Sequence, residues 1–237
     1  MVSKEFPVTR QLYFLMVAIT LLASGCSEPA LISAVSRQDK PAATRLLQAG
    51  ANPDQKSRAG ETSLHIALRV GNIDLFRQLL KYKANPNICD QNGASVVHRA
   101  AQQDDIAWLK LALQYGGDVD RINLGNRHFP GETPIYYAIH KGCVGCVEYL
   151  MQSGAALNHQ DQRGETPLYA AFHAGMYKAA VSMLERGADP TIAMYGGASI
   201  LTETILAEGN DVVIKDESER KELLELRAYL VDHGYLK

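Results

Sequence analysis

Two groups of residues in this 237-residue sequence have types and spacing that could support chemistry. The first is Cys143-Val-Gly-Cys146, since a Cys-x-x-Cys pair is typical of redox sites and of half a metal site. The second is His65 with His98, 33 residues apart. A zinc site needs two further ligands, and neither another Cys-x-x-Cys pair nor a close histidine pair provides them. The pattern therefore predicts no metal site.

Motifs of known enzyme classes are missing from the sequence. It has no Gly-x-Ser-x-Gly elbow, no His-Glu-x-x-His pair, no Walker-type phosphate loop and no dinucleotide fingerprint. The net charge of −2 lacks the basic excess of a nucleic-acid-binding protein. We expect a protein that is not an enzyme, needs no cofactor and binds no nucleic acid.

Two ladders of residues repeat with a common period. Glycines that precede a Thr- or Ser-rich helix start are 33, 38, 33 and 33 residues apart. Apolar residues that open a helix-ending motif are 33, 33, 38 and 33 residues apart. The first ladder comprises Gly60, Gly93, Gly131, Gly164 and Gly197, and the second comprises Leu47, Leu80, Leu113, Met151 and Leu184. This period predicts a stack of helical repeats, in which each unit buries one face against its neighbour.

The segments Gly164-Glu-Thr-Pro-Leu-Tyr-Ala-Ala and Leu184-Glu-Arg-Gly-Ala-Asp resemble the ankyrin repeat. The resemblance covers residues 28–237 and implies an all-α solenoid of about six helix-turn-helix repeats with short β-hairpin fingers. The expected units are 28–56, 57–89, 90–127, 128–160, 161–193 and 194–237. Lys83 departs from the pattern, because it replaces a glycine that ends a helix.

Local signals at the expected helix ends agree with this reading. Thr62, Thr133 and Thr166 are N-cap candidates, since their hydroxyl groups can accept backbone N–H bonds. Pro134 and Pro167 follow at the first helical position, where a missing N–H costs nothing. The residues expected to end helices in a left-handed conformation are Gly50, Gly154 and Gly187.

The resemblance also implies roles for the histidines and cysteines. In ankyrin repeats, the histidine at the place of His65 and His98 hydrogen-bonds locally and joins adjacent turns. Cys146 lies where the family has a core Val or Ile, so we expect Cys143 and Cys146 to be small core residues. A structural disulfide is the alternative, and an oxidising compartment permits it. Cys89 lies in a finger without an obvious partner.

The first 25 residues differ from the rest and predict export. A short polar lead with two basic residues precedes the apolar run Leu12–Ala23, which has the length of a signal-peptide core and is short for a membrane span. Its end, Leu22-Ala-Ser-Gly-Cys26, resembles the lipobox of bacterial lipoproteins. We therefore expect a signal peptide over 1–25, lipidation of Cys26 and a mature ankyrin domain over 26–237. An ordinary cleaved signal peptide and a buried N-terminal helix are the alternatives.

The lipoprotein resemblance implies a location. Ser27, rather than Asp, follows the cysteine, which implies sorting to the outer membrane. We expect the chain on the periplasmic face of the envelope, held there by a lipid anchor. The first helix is expected near Leu31, so little tether separates the anchor from the first repeat. An internal start at Met16 would give an unexported form, and the sequence leaves that open.

Ankyrin stacks bind proteins through a concave surface made of finger tips and the exposed sides of the first helices. The family's contact positions fall on Lys56, Arg58, Glu61, Arg69, Gln91, Asn92, Gln102, Gln103, Arg127, Phe129, Glu132, His140, Lys141, Gln162, Arg163, Glu165, His173, Met194 and Tyr195. This row is polar with prominent basic residues, so we expect an acidic or mixed-charge patch on the partner. Five added residues before Gly131 lengthen one finger, and its Arg127-His-Phe129 tip has the composition of an interface hot spot.

Architecture and expected location together suggest a function. A periplasm-facing ankyrin lipoprotein resembles the immunity lipoproteins that accompany type VI secretion phospholipase effectors. This implies a monomer that forms a one-to-one complex with a lipase effector and blocks its active-site entrance. The alternative is a periplasmic scaffold or accessory protein that assembles or protects an envelope enzyme, such as a catalase.

Overall fold

The computed structural model of the chain describes residues 28–125, 131–206 and 216–236, with only the backbone for 205–206. Helices in these ranges are α1 Ala30–Ser36, α2 Lys40–Gln48, α3 Ser63–Arg69, α4 Ile73–Lys81, α5 Val96–Ala101, α6 Ala107–Gln114, α7 Pro134–Lys141, α8 Val144–Gln152, α9 Pro167–His173, α10 Tyr177–Glu185, α11 Ile200–Leu206 and α12 Glu217–Asp232. The predicted signal peptide, Cys26 and the Arg127-His-Phe129 tip lie outside the described residues. No helix in the described ranges combines the length and apolar character needed to cross a membrane.

The twelve described helices form six consecutive pairs, which we call repeats 1 to 6. In the first five repeats the two helices of a pair contact each other, and each first helix also contacts the first helix of the next repeat. The final pair packs on repeat 5, with α11 against α9 and α12 against α10. The predicted all-α solenoid of about six helix-turn-helix repeats is confirmed.

The core runs through the stack as one continuous apolar cluster. In α4 the apolar residues Leu75, Phe76 and Leu79 recur at helical spacing and are fully buried. The Phe76 ring meets Trp108 of the next repeat edge to face, with 5.1 Å between ring centroids. Such a pair contributes about 0.5–1.5 kcal/mol beyond the area it buries. Stability therefore depends on contacts between neighbouring repeats.

Most predicted helix ends are confirmed. Pro134 and Pro167 occupy the first turn of α7 and α9. Thr166 accepts the N–H of Tyr169 at 3.2 Å, as an N-cap should. Thr133 precedes α7 with extended backbone, but its buried Oγ1 has no hydrogen-bond partner in the structure. The expectation of a capping bond from Thr133 is therefore wrong.

The fingers between repeats are tight turns. The described residues contain no β-strand, and only Cys89 and Ser95 form an isolated bridge. Two backbone hydrogen bonds close a regular finger, for example from the Gly93 N–H to Asp90 O and from the Asp90 N–H to Ala94 O. The described fingers are thus turns rather than the expected β-hairpins, because they are too short for paired strands.

The lengthened finger keeps the same closure. The Gly131 N–H donates to Asn123 O at 2.7 Å, and the Asn123 N–H donates to Glu132 O at 2.9 Å. In a regular finger the corresponding bonds span three and four residues, whereas here they span eight and nine. The five added residues are therefore confined to residues 124–130, and the helices on either side keep the register of the stack.

A buried histidine links repeat 2 to repeat 3, and a second one links repeat 3 to repeat 4. His65 Nε2 lies 3.3 Å from Ala94 O, and His98 Nε2 lies 3.3 Å from Glu132 O. In both, Nδ1 receives the backbone N–H of the N-cap residue, so the ring is neutral and Nε2 carries the proton. The predicted structural role of the two histidines is confirmed. Burial lowers the pKa of both, to about 4 for His98.

Candidate protein-binding groove

A groove of about 500 Å³ lies on the stack where repeats 2 and 3 meet. The finger tips, the end of α3 and the end of α5 form its walls. Its lining residues are Ala59, Glu61, His65, Leu68, Arg69, Asp90, Gln91, Asn92, Arg99 and Gln103. Five of these were predicted contact positions, namely Glu61, Arg69, Gln91, Asn92 and Gln103. The sequence analysis therefore found half of the lining.

Two ion pairs stand in the wall of the groove. Arg69 donates from Nε and Nη2 to the two carboxylate oxygens of Glu61, each at 3.1 Å. Arg99 donates to Asp90 Oδ2 from Nε at 3.0 Å and from Nη2 at 2.6 Å. Bidentate pairs of this kind hold a guanidinium in one orientation. The groove is consequently polar but ordered before any partner arrives.

A second charged cluster surrounds Arg163 in repeats 4 and 5. Its guanidinium donates to Asp161 at 2.8 Å, pairs with Glu165 at 2.8 Å and reaches Glu132 at 3.4 Å. Burial raises the pKa of the Glu165 carboxyl, and the Arg163 charge partly offsets that effect. Glu132 Oε1 also lies 2.9 Å from His140 Nε2. The buried carboxylates of this cluster fix the orientation of the exposed Arg163 guanidinium.

Two predicted contact residues are not on the surface. Glu132 is 0% exposed and Glu165 is 9% exposed. The expectation that their side chains face a partner is wrong, because both carboxylates point toward Arg163 and the interior of the stack. Glu132 Oε2 is buried without a hydrogen-bond partner in the structure. These residues support the surface from within.

The other described contact positions are at least partly exposed. They are Lys56, Arg58, Glu61, Arg69, Gln91, Asn92, Gln102, Gln103, His140, Lys141, Gln162, Arg163, His173, Met194 and Tyr195. Several already have partners within the chain: Lys56 donates to Cys89 O at 2.8 Å, and Lys141 pairs with Asp104 at 2.9 Å. Hydrogen bonds and ion pairs within the chain therefore fix part of this surface, which offers a partner fewer unpaired cations than the sequence suggested.

Charges of both signs alternate along this row. Six cations in or beside the row are Lys56, Arg58, Arg69, Arg99, Lys141 and Arg163, and the carboxylates near them are Glu61, Asp90, Asp104, Glu132, Asp161 and Glu165. Glu132, Asp161 and Glu165 are buried beneath Arg163, so they weaken the field of that cation without facing a partner themselves. Among the described residues, carboxylates thus accompany most of the cations, which favours a mixed-charge partner patch over a purely acidic one.

Sequence reasoning missed two kinds of groove and finger residue. Asp90 and Arg99 went unnoticed, although Asp90 opens an Asp-x-x-Gly finger that recurs at Asp161. Leu124 was also missed, and it is 77% exposed at a finger tip. Tyr195, 76% exposed, occupies the equivalent tip two fingers later. Leu124 could have been predicted, since it is a large apolar residue at the same finger position as Tyr195, which was among the predicted contact positions.

The two cysteines of the Cys-x-x-Cys pair are joined by a disulfide bond. The preferred expectation of two free core thiols is wrong, and the alternative of a disulfide describes the structure. Cys146 is fully buried in the core as expected, but Cys143 sits at the N-cap of α8 and is half-buried. Cys89 is a free thiol. Among the described residues, no cluster of three or more His, Cys, Asp or Glu side chains is arranged to hold a metal ion.

A stack of helical pairs with an ordered polar groove defines a class of protein–protein interaction module, and comparison with known proteins identifies which one. The family described as "Ankyrin repeats (3 copies)" matches residues 31–123 and 97–194. The chain belongs to the ankyrin-repeat family, whose members are typically non-enzymatic interaction modules. It is an ankyrin-repeat protein.

This chain spans only part of the length of the curated relatives that it matches. An ankyrin repeat protein of Rickettsia felis is 32% identical over 117 residues, covering 49% of this chain and 37% of that protein. The neurogenic locus notch homolog protein 1 of Homo sapiens is 30% identical over 173 residues, covering 71% of this chain and 7% of that protein. The ankyrin repeat domain of Bcl-3, of the IkappaB family, superimposes with a TM-score of 0.67 at 25% identity, over 89% of this chain and 87% of that one.

Proposed function

We propose that this chain is a lipid-anchored ankyrin protein of the bacterial envelope that binds a toxic phospholipase, a type VI secretion effector, and blocks its active-site entrance. The observation that carries the proposal is a preformed groove between repeats 2 and 3, close in sequence to the lipidation motif at Cys26. Inhibition of this kind needs no catalytic group in the inhibitor. It needs a rigid surface that fills the mouth of the enzyme.

The distance from the anchor supports this arrangement. Helix α1 begins at Ala30, four residues after Cys26. Four residues of extended chain reach at most about 14 Å. A lipidated Cys26 would therefore hold repeat 1 against the membrane, with the groove of repeats 2 and 3 directly beyond it. A phospholipase must approach the same membrane to find its substrate.

Exposed apolar residues on the finger tips fit a lipase better than an arbitrary partner. Leu124 and Tyr195 are each more than three-quarters exposed and stand on a row that is otherwise polar. An enzyme that admits acyl chains has an apolar rim around its entrance, and large side chains from an inhibitor can bury against it. Tyrosine is also enriched among interface residues that carry much of the binding energy.

The test is co-expression and co-purification with a type VI secretion phospholipase effector, followed by measurement of the effector's activity on phosphatidylethanolamine vesicles. We expect a one-to-one complex with lipid hydrolysis abolished. Two exposed changes, Arg58→Glu with Tyr195→Ala, should weaken inhibition at least tenfold. Arg45→Glu is the matched control, since Arg45 is exposed on α2 away from the finger tips.

Two results would count against the proposal. A complex in which the lipase keeps its activity would exclude inhibition. Recovery of a resident envelope enzyme whose activity is retained or raised would make the chain an assembly factor, the scaffold alternative.

A further inference from the structure

In repeats 1 to 3 an Asp or Asn side chain accepts a backbone N–H at the start of the second helix. In repeat 1, Asp39 Oδ1 accepts the N–H of Ala42 at 2.9 Å. In repeat 2, Asn72 Oδ1 accepts the N–H of Leu75 at 3.0 Å. In repeat 3, Asp105 lies one residue before the N-cap Ile106, and its Oδ1 accepts the N–H of Ala107 at 2.8 Å. An oxygen acceptor therefore holds the start of the second helix in these three repeats, whereas Met176 precedes the second helix of repeat 5 without a side-chain capping bond.

In repeat 4 a sulfur atom occupies this capping position. Cys143 is the N-cap of the nine-residue helix α8, and its Sγ accepts the N–H of Cys146 at 3.2 Å. Cys146 in turn corresponds to the half-buried Ala42 and the buried Leu75, which donate their N–H groups to the caps in repeats 1 and 2. The disulfide thus joins a capping position to a core position.

This placement stabilises the reduced form of the pair. A thiolate on Cys143 would receive the N–H bond that the carboxylate of Asp39 receives in repeat 1, together with the positive end of the helix dipole. The first turn of α8 contains no acidic residue that would oppose it. A disulfide sulfur is neutral and is a weaker acceptor. A pair whose reduced form is stabilised in this way is a ready oxidant of other thiols.

The two sulfur atoms differ in access. Cys143 is half-buried, and the next two residues, Val144 and Gly145, are exposed. Cys146 is 0% exposed and sits in the core. An incoming thiolate can therefore reach Cys143, while Cys146 is shielded and serves as the leaving group. The bridge spans three positions in sequence, and so short a loop restricts the unfolded chain little.

We propose that Cys143 and Cys146 form a thiol–disulfide exchange site that oxidises a protein dithiol. A substrate thiolate attacks Cys143 Sγ, which breaks the bond to Cys146 and leaves a mixed disulfide and a Cys146 thiolate that takes up a proton. The second substrate thiolate then attacks the substrate sulfur of that mixed disulfide and releases Cys143 as a capped thiolate. The substrate loses two electrons and becomes a disulfide, and the cysteine pair gains them.

The experiment uses the full exported chain, purified without reductant, and a synthetic peptide with two cysteines as the probe. We expect the peptide to become oxidised in proportion to the chain added, and both cysteines of the pair to be alkylated once the chain is denatured, as detected by mass spectrometry. In the reduced chain at pH 7, iodoacetamide should modify Cys143 at least tenfold faster than Cys89, which serves as the internal control.

Two variants separate exchange from a structural role. Cys146→Ala places the residue found at Ala42 in the core position, so it should fold and trap the peptide as a mixed disulfide on Cys143. Cys143→Asp restores the cap found at Asp39 and should fold without any exchange. The proposal is wrong if the exported chain holds two free thiols, if its disulfide survives excess peptide dithiol, or if Cys143 reacts no faster than Cys89.

Discussion

Several neighbouring repeats are joined by a buried side chain that binds a backbone carbonyl of the next repeat, and we call this contact a joint. The joint between repeats 3 and 4 uses a histidine, whereas the joint between repeats 4 and 5 uses a tyrosine. His98 of repeat 3 reaches the backbone oxygen of Glu132, and Tyr136 of repeat 4 places its hydroxyl 2.6 Å from the backbone oxygen of Glu165. The two carbonyls are equivalent, since each follows the glycine of the next finger. The Tyr136 hydroxyl also lies 2.7 Å from His159 O and donates to one of the two at a time.

The difference between these joints lies in their response to pH. Burial lowers the pKa of His98 to about 4, because a charged imidazole is unfavourable in the core. Acid therefore favours the unfolded chain, in which the histidine binds a proton more readily. A buried tyrosine stays neutral in acid and in mild base, because burial raises the pKa of Tyr136 above its ordinary value. The stack therefore contains an acid-sensitive joint and an acid-insensitive one at the same position of successive repeats.

The largest expected effect comes from removing the histidine joint. His98→Ala deletes a fully buried ring, its bond to Glu132 O and its bond to the cap residue Ser95. We expect the free energy of unfolding in urea to fall by about 3–4 kcal/mol, from the cavity and the lost hydrogen bonds together. His173→Ala is the control, and this exposed histidine should change stability by less than about 0.5 kcal/mol. Equal effects would refute the assigned role.

Acid should destabilise the chain through the same residue. Between about pH 6.5 and 4 the unfolded chain binds a proton at His98 that the folded chain does not, so stability falls as pH falls. The full loss is about 3 kcal/mol by pH 4. Urea titrations at several pH values should show this slope in the natural chain and a smaller slope in His98→Ala. An unchanged slope would mean that other groups cause it.

The tyrosine joint should be weaker and indifferent to acid. Tyr136→Phe keeps the ring in the core and removes only the hydroxyl bond. We expect a loss of about 1–2 kcal/mol, since Glu165 O also accepts the N–H of Asp161. The loss should be the same at pH 7 and pH 5 in urea unfolding. A loss that grows toward low pH would erase the distinction between the two joints.

The smallest expected effect is at the end of α4 in repeat 2, which takes part in neither joint. Lys83 has φ 63°, whereas Gly50, Gly116 and Gly154 hold the equivalent left-handed position elsewhere. Lys83→Gly should raise the free energy of unfolding by about 0.5–1 kcal/mol, because a side chain is strained there. Thermal unfolding should shift upward. A decrease would show that the Lys83 side chain contributes more than its backbone strain costs.

Regular parts of the fold could be predicted from the sequence because their signals are local. The glycine ladder, Pro134 and Pro167 each report on the backbone of one turn, and they located six repeats. Burial of Glu132 could not be predicted in this way. The same Gly-Glu-Thr motif leaves Glu61 partly exposed in repeat 2, whereas Glu132 is buried against Arg163 and His140, which come from elsewhere in the chain.

The disulfide was only the second expectation for a related reason. Cys146 was correctly expected in the core, but Cys143 was assigned with it and not compared with Asp39 and Asn72. Aligning the residues that precede each second helix would have shown a capping position. Spatial partners from other repeats leave no local signal, whereas equivalent positions within the chain do.

The paired guanidinium groups of the groove have a consequence for the kinetics of binding. Arg69 and Arg99 already neutralise Glu61 and Asp90, so the groove projects little field into solution. Long-range attraction accelerates association only where charge of one sign accumulates. We therefore expect the association rate with a partner to vary little with ionic strength and to lie in the ordinary range of about 10⁵–10⁶ M⁻¹s⁻¹. Discrimination between partners would then reside in how slowly the correct complex dissociates.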